Sequence, residues 1–169
     1  QTAAESLRLN AFADTAAEIR ASVFQQIKDV ALARLRDDPA AVAVNTAYYR
    51  RIQEHFNALR RQSVSRAEDY SIQTMQEAYG QLQTELQAVF DDSYLLNRVV
   101  RIKLLDPSYE QRIVSGFDDA YKRVRGLVEQ SRAAQDAHID EWTRRASLVL
   151  PLPLLIALSL LFFSRRSLT

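Results

Sequence analysis

Apolar residues recur along the first 145 positions at alternating spacings of three and four. That is the period of a helix with one buried stripe. The first stripe runs Leu9, Phe12, Ala16, Ile19, Val23, Ile27 and Val30. The second runs Val44, Tyr48, Ile52, His55 or Phe56, and Leu59. The third runs Ile72, Met75, Tyr79, Leu82, Leu86, Val89, Ser93, Leu96 and Val100. Its spacing never breaks, which makes it a heptad seam of the coiled-coil kind, with only Ser93 out of character. The fourth runs Ile113, Phe117, Ala120, Val124, Leu127, Ser131, Ala134, His138 and Trp142.

Punctuation between the stripes predicts where helices stop and start. Asp38-Pro39 and Asp106-Pro107 each put a capping carboxylate before a proline, which has no N–H to leave unpaired. Ser65 and Glu68 have the spacing of a capping box. The predicted helices are 3–36, 39–63, 66–104 and 107–145. The boundary near Ser63 is the weakest, and one continuous helix over 39–104 is a rival. Each stripe is narrow, so no helix is stable alone. Packed together they predict an all-α, antiparallel four-helix bundle over residues 1–145. Gly80, Gly116 and Gly126 fall inside helices, where they are expected to allow close packing.

Beyond the bundle the pattern changes. Ala146 to Phe163 contains no charged residue, with Arg144 and Arg145 before it and Arg165 and Arg166 after it. A bilayer core takes roughly 20 apolar helical residues to cross. The last bundle helix is therefore expected to continue into a single transmembrane helix at 146–164, kinked at Pro151 and Pro153, ahead of a short basic tail at 165–169. Trp142, Arg144, Arg145, Arg165 and Arg166 are the expected interface anchors. The acidic flank at Asp136, Asp140 and Glu141 and the basic tail favour a bundle outside and a tail inside.

Charge and chemistry narrow the function classes. Residues 1–145 hold 20 Lys or Arg against 21 Asp or Glu, well mixed, which argues against nucleic acid as a partner. Without cysteine there is no disulfide, thiolate metal site or thiol nucleophile. His55 and His138 lie on different helices, with no partner at metal-ligand spacing. The pairs Asp37-Asp38, Asp91-Asp92 and Asp118-Asp119 read as a cap and as solvated surface. No phosphate loop, nucleophile elbow or zinc-protease helix occurs. A catalytic set and a cofactor are not expected. Arg8 and Arg20, beside the first stripe, and His138 are the candidates for gripping a small anionic ligand.

A helical bundle feeding a transmembrane helix, followed by Ser164-Arg165-Arg166-Ser167-Leu168-Thr169, resembles the sensory half of a bacterial transmembrane receptor of the histidine kinase or chemoreceptor type. In those two-component and chemotaxis proteins a short Arg/Ser/Leu/Thr stretch opens the HAMP linker. The four-helix plan is similar to that of nitrate-sensor and chemoreceptor ligand domains. The resemblance implies a homodimer, a periplasmic bundle, a first transmembrane helix upstream and an output module downstream. A helix shift would carry the signal across the membrane. The competing expectation is a non-catalytic accessory or structural subunit of a larger membrane complex, in an organellar membrane among other settings.

Overall fold

The computed structural model describes residues 2–36, 38–88 and 106–149. Among the described residues there are four helices and no strand: α1 (Thr2–Leu35), α2 (Ala41–Gln62), α3 (Arg66–Gln87) and α4 (Pro107–Val149). The chain divides into two compact units, Gln1–Glu129 and Gln130–Thr169. The first holds the bundle. In the second, none of the described side chains is buried.

The stripes become one shared core. All seven apolar positions expected on α1 are buried, as are Ile72, Met75, Tyr79, Leu82 and Leu86 on α3. Ile52, Phe56 and Leu59 of α2 join them, with Phe117, Ala120 and Val124 of α4. Burying a side chain of this size contributes roughly 1.5–3 kcal/mol, so the stripes are what hold four marginal helices together. Cross-helix contacts fix the directions. Gln26 of α1 meets Asn45 of α2 and Tyr79 of α3, while Arg8 reaches Gln62 and Glu68. Arg20 meets Asp118, and the Tyr79 ring meets Phe117. Successive helices therefore run up, down, up and down.

The hairpin between α2 and α3 rules out the continuous 39–104 helix. Ser63 is extended (φ −68°, ψ 138°), and so is Ser65 (φ −134°, ψ 152°). The Ser65 hydroxyl accepts from the Glu68 N–H at 3.1 Å, half of the expected capping box. The return bond differs. Glu68 accepts from the Val64 N–H at 2.8 Å, one residue earlier than the motif predicts. At α4 the Asp106 carboxylate accepts from the Ser108 N–H at 2.9 Å, with Pro107 as first helical residue, as expected. At α2 the helix starts two residues late. Asp38 accepts from the Ala40 N–H and closes a turn over Pro39, so Ala40 becomes the cap and lends no side chain.

Other differences concern which face is buried. On α4 Val114 and Val128 are buried, while Ile113 and Leu127 are only half-buried. Adjacent apolar pairs gave the periodicity no means of choosing between neighbours. Ser131 is half-buried, and Ala134 and His138 are exposed. The glycine expectation fails for a plain reason: a Cβ at Gly80, Gly116 or Gly126 would meet nothing within 4 Å. Val89, Ser93, Leu96 and Val100 lie outside the described residues. So do residues 150–169, which carry most of the expected span at 146–164. No helix of the described residues is long and apolar enough to cross a membrane.

Candidate functional site

Apart from Glu68 at the α2–α3 hairpin, the described core of the bundle is apolar except in one layer. Gln26 is fully buried and Asn45 is 6% exposed, and both sit among the stripes. A buried amide without a partner costs about 1–3 kcal/mol, so these side chains must bond to one another. They do. Gln83 Nε2 donates to Tyr79 Oη at 2.9 Å, and Tyr79 Oη donates to Gln26 Oε1 at 3.1 Å. Gln26 Nε2 then donates to Asn45 Oδ1 at 2.7 Å. Four side chains from three helices form a single relay.

Tyr79 is the hub of this layer. Its ring stacks on Tyr49 with centroids 6.0 Å apart, packs on Phe56 at 5.9 Å, and meets Phe117 edge-on at 6.3 Å. With its hydroxyl on Gln26, this α3 residue touches α1, α2 and α4 at once. Burial pushes its phenol well above the ordinary tyrosine range, so it stays neutral and able to donate.

The relay begins and ends at a cleft of about 400 Å³ between α2 and α3. Among the described residues, Asn45, Thr46, Tyr49, Gln83, Thr84 and Gln87 line it, all polar and all uncharged. Tyr49 is 46% exposed. Thr46 and Thr84 donate their hydroxyl protons to Val42 and Gly80 carbonyls one turn back, which leaves their oxygens as acceptors. A second cleft, of about 320 Å³, lies between α1 and α4 beside Phe24, Glu110, Asp118 and Lys122.

The sequence-based candidates fall in different places. Arg8 has five N–H donors, and all five are engaged: two on Glu5, two on Glu68 and one on the Gln62 carbonyl. Its hydrogen bonds to Glu5 push Arg8 up and hold the Glu5 carboxyl below its ordinary value. This clasp ties the start of α1 to the α2–α3 hairpin and leaves Arg8 no donor for an anion. Arg20 donates through Nε to Asp118 at 2.7 Å, and its guanidinium lies over Phe24 at 4.6 Å and Tyr121 at 5.3 Å. Burial raises the Asp118 carboxyl, but hydrogen bonds from Arg20 and Lys122 outweigh it and bring the carboxyl below its ordinary value. His138 is exposed, on α4 in the second unit. Side chains of Trp142, Arg144 and Arg145, and all of Arg165 and Arg166, lie outside the described residues. Among the described residues no group of His, Asp or Glu has metal-holding geometry.

Sequence reading missed four functional-looking residues. Gln26, Asn45 and Gln83 were passed over because an amide beside a stripe looks like surface. Asp118 was assigned to solvent. The available signal was Asn45 itself: it lies three residues from Val42 and Tyr48 and four from Ala41 and Tyr49, on the edge of the α2 stripe. Compared with protein-family models, curated proteins and solved structures, the chain matches none.

Proposed function

We propose that this chain is the sensory, ligand-binding part of a membrane-anchored signalling receptor, with the output module on the far side of the membrane and a homodimer as the working unit. The observation that carries the reading is the Tyr79 hub. A polar cleft opens on a relay whose central residue contacts all the other helices, including α4 through Phe117. A ligand that rearranges Asn45 or Gln83 changes what Tyr79 holds, and α4 leads in sequence toward the uncharged run at 146–163. The resemblance of the 164–169 stretch to the opening of a HAMP linker supports the same reading. A population shift between two bundle arrangements turns that packing into a signal.

Because the chain has no cysteine, single cysteines report topology cleanly. Arg66→Cys, at an exposed position, should react with a membrane-impermeant maleimide in intact cells. Ser167→Cys should react only after permeabilisation. The native polypeptide should also have an intact mass well above the 19.3 kDa of this chain. Labelling of both sites on one side, or a native mass near 19.3 kDa, would overturn the receptor reading in favour of an accessory subunit.

A further inference from the structure

The Asn45–Gln26–Tyr79–Gln83 relay has two open ends, and both face the same cleft. Among the described residues, the Asn45 side-chain nitrogen donates to no partner in the chain and the Gln83 carbonyl oxygen accepts from none, although Asn45 is 6% exposed. Neither atom is sealed from solvent, since among the described residues no buried side-chain polar atom lacks a partner. One end therefore offers a donor and the other an acceptor. Turning every amide end over end reverses the relay and exchanges the two roles, yet still leaves one of each. A ligand that accepts at one end and donates at the other closes the relay into a ring, in which each hydrogen bond strengthens the next.

The rest of the cleft restricts that ligand further. The six described residues that line it carry no formal charge, so a charged ligand would lose its hydration without gaining a counter-ion from them. Thr46 and Thr84 add acceptor oxygens. Tyr49, stacked on Tyr79 and 46% exposed, presents a flat apolar surface at the rim. The volume, about 400 Å³, lies in the roughly 300–1,000 Å³ range of small-molecule sites. We infer that this cleft is a binding site for a neutral saccharide, whose hydroxyls donate and accept side by side and whose C–H face lies against Tyr49. The inference rests on the sensory reading, for which it names the ligand class.

The test uses the full chain in lipid nanodiscs, with glucose, galactose and ribose as probes and acetate and glucosamine as charged controls. A ligand that binds only the folded state raises the melting midpoint and gives a heat of binding. At least one neutral sugar at millimolar concentration should do both, and neither control should match it. Gln83→Leu should weaken that sugar roughly tenfold, the loss of one hydrogen bond and the stranding of its partner. Tyr49→Ala, at a half-exposed position that leaves the relay intact, should abolish the midpoint shift. No response to any neutral sugar, an equal response to a charged control, or a response that survives Tyr49→Ala would overturn the assignment. The cysteine-labelling pattern separates the two claims. Correct topology without sugar binding ends the saccharide site and leaves the receptor reading standing. Sugar binding lost in Tyr49→Ala together with one-sided labelling keeps the site and ends the receptor reading.

Discussion

Two polar clusters of the bundle lie at different heights and are built on opposite plans. At the α2–α3 hairpin, Arg8, Glu5 and Glu68 form a charged clasp in which every guanidinium donor is taken. Nearer the other end, Gln26, Asn45, Tyr79 and Gln83 form a neutral relay that stops short at both ends. A saturated charged cluster can only hold: it has nothing left to offer, and opening it exposes a buried carboxylate. An unfinished neutral relay holds less tightly but can accept another molecule without stranding a charge. Completeness of hydrogen bonding, more than the presence of charge, separates a structural polar cluster from a binding one here.

Both clusters hang on the α3 seam, so the largest effect comes from breaking it. Leu82 is 2% exposed, in the relay's own stretch of α3 between Tyr79 and Gln83. Leu82→Asp buries a charge without a partner and should cost roughly 4 kcal/mol or more, enough to unfold a marginal bundle. Thermal melting followed by circular dichroism checks this, and a variant with unchanged helicity and midpoint would show that the seam is not buried.

Next comes the clasp. Glu68→Ala leaves Arg8 with half its acceptors and removes the bond to the Val64 N–H. We expect a loss of about 3 kcal/mol in urea unfolding, since breaking a mostly buried pair strands the other charge. The relay should be cheaper to break. Tyr79→Phe keeps the ring contacts and removes only the hydroxyl between Gln26 and Gln83, for an expected loss of about 1.5 kcal/mol. If Tyr79→Phe proved as damaging as Glu68→Ala, the contrast between a holding and a binding cluster would fail.

The smallest effect distinguishes the clusters by pH. The folded chain holds Glu5 and Asp118 below their ordinary values. A depressed carboxyl adds stability that is fully present above its unfolded pKa and is lost as pH falls through the folded one. The clasp and the Arg20–Asp118 pair should therefore weaken on acidification through the ordinary carboxylate range, about pH 4 and below. The neutral relay has no group that titrates there. Amide protection factors, taken against the intrinsic exchange rate at each pH, should thus fall around Glu5 and Asp118 before they fall around Gln26. An equal fall at both sites would mean that the relay depends on the clasp.

Much of the fold was legible along the chain. A helical stripe records burial directly, because every third or fourth residue faces the same way whatever lies opposite. That is why all seven α1 positions and the described part of the α3 seam were placed correctly. The caps at Ser65 and Asp106 were equally readable, since a cap is made by residues within one turn of each other. Stripes stop being informative where two apolar residues adjoin, as at Ile113-Val114, because either can face inward. The α2 start was also misplaced, since Asp38 satisfied its bonds over Pro39 in a turn and not in a helix.

The candidate site was almost invisible by comparison. Arg8 stood out in the sequence, but only its meeting with Glu68, sixty positions away, shows that its donors are spent. Gln26, Asn45 and Gln83 carry no motif at all. Most of the helices and their apolar stripes follow from residues a turn apart, which is why they could be read along the chain. Which polar side chains are finished and which still lack a partner emerged from the packing of the helices. Hydrogen-bond satisfaction depends on which helix packs opposite, and that information is nowhere local.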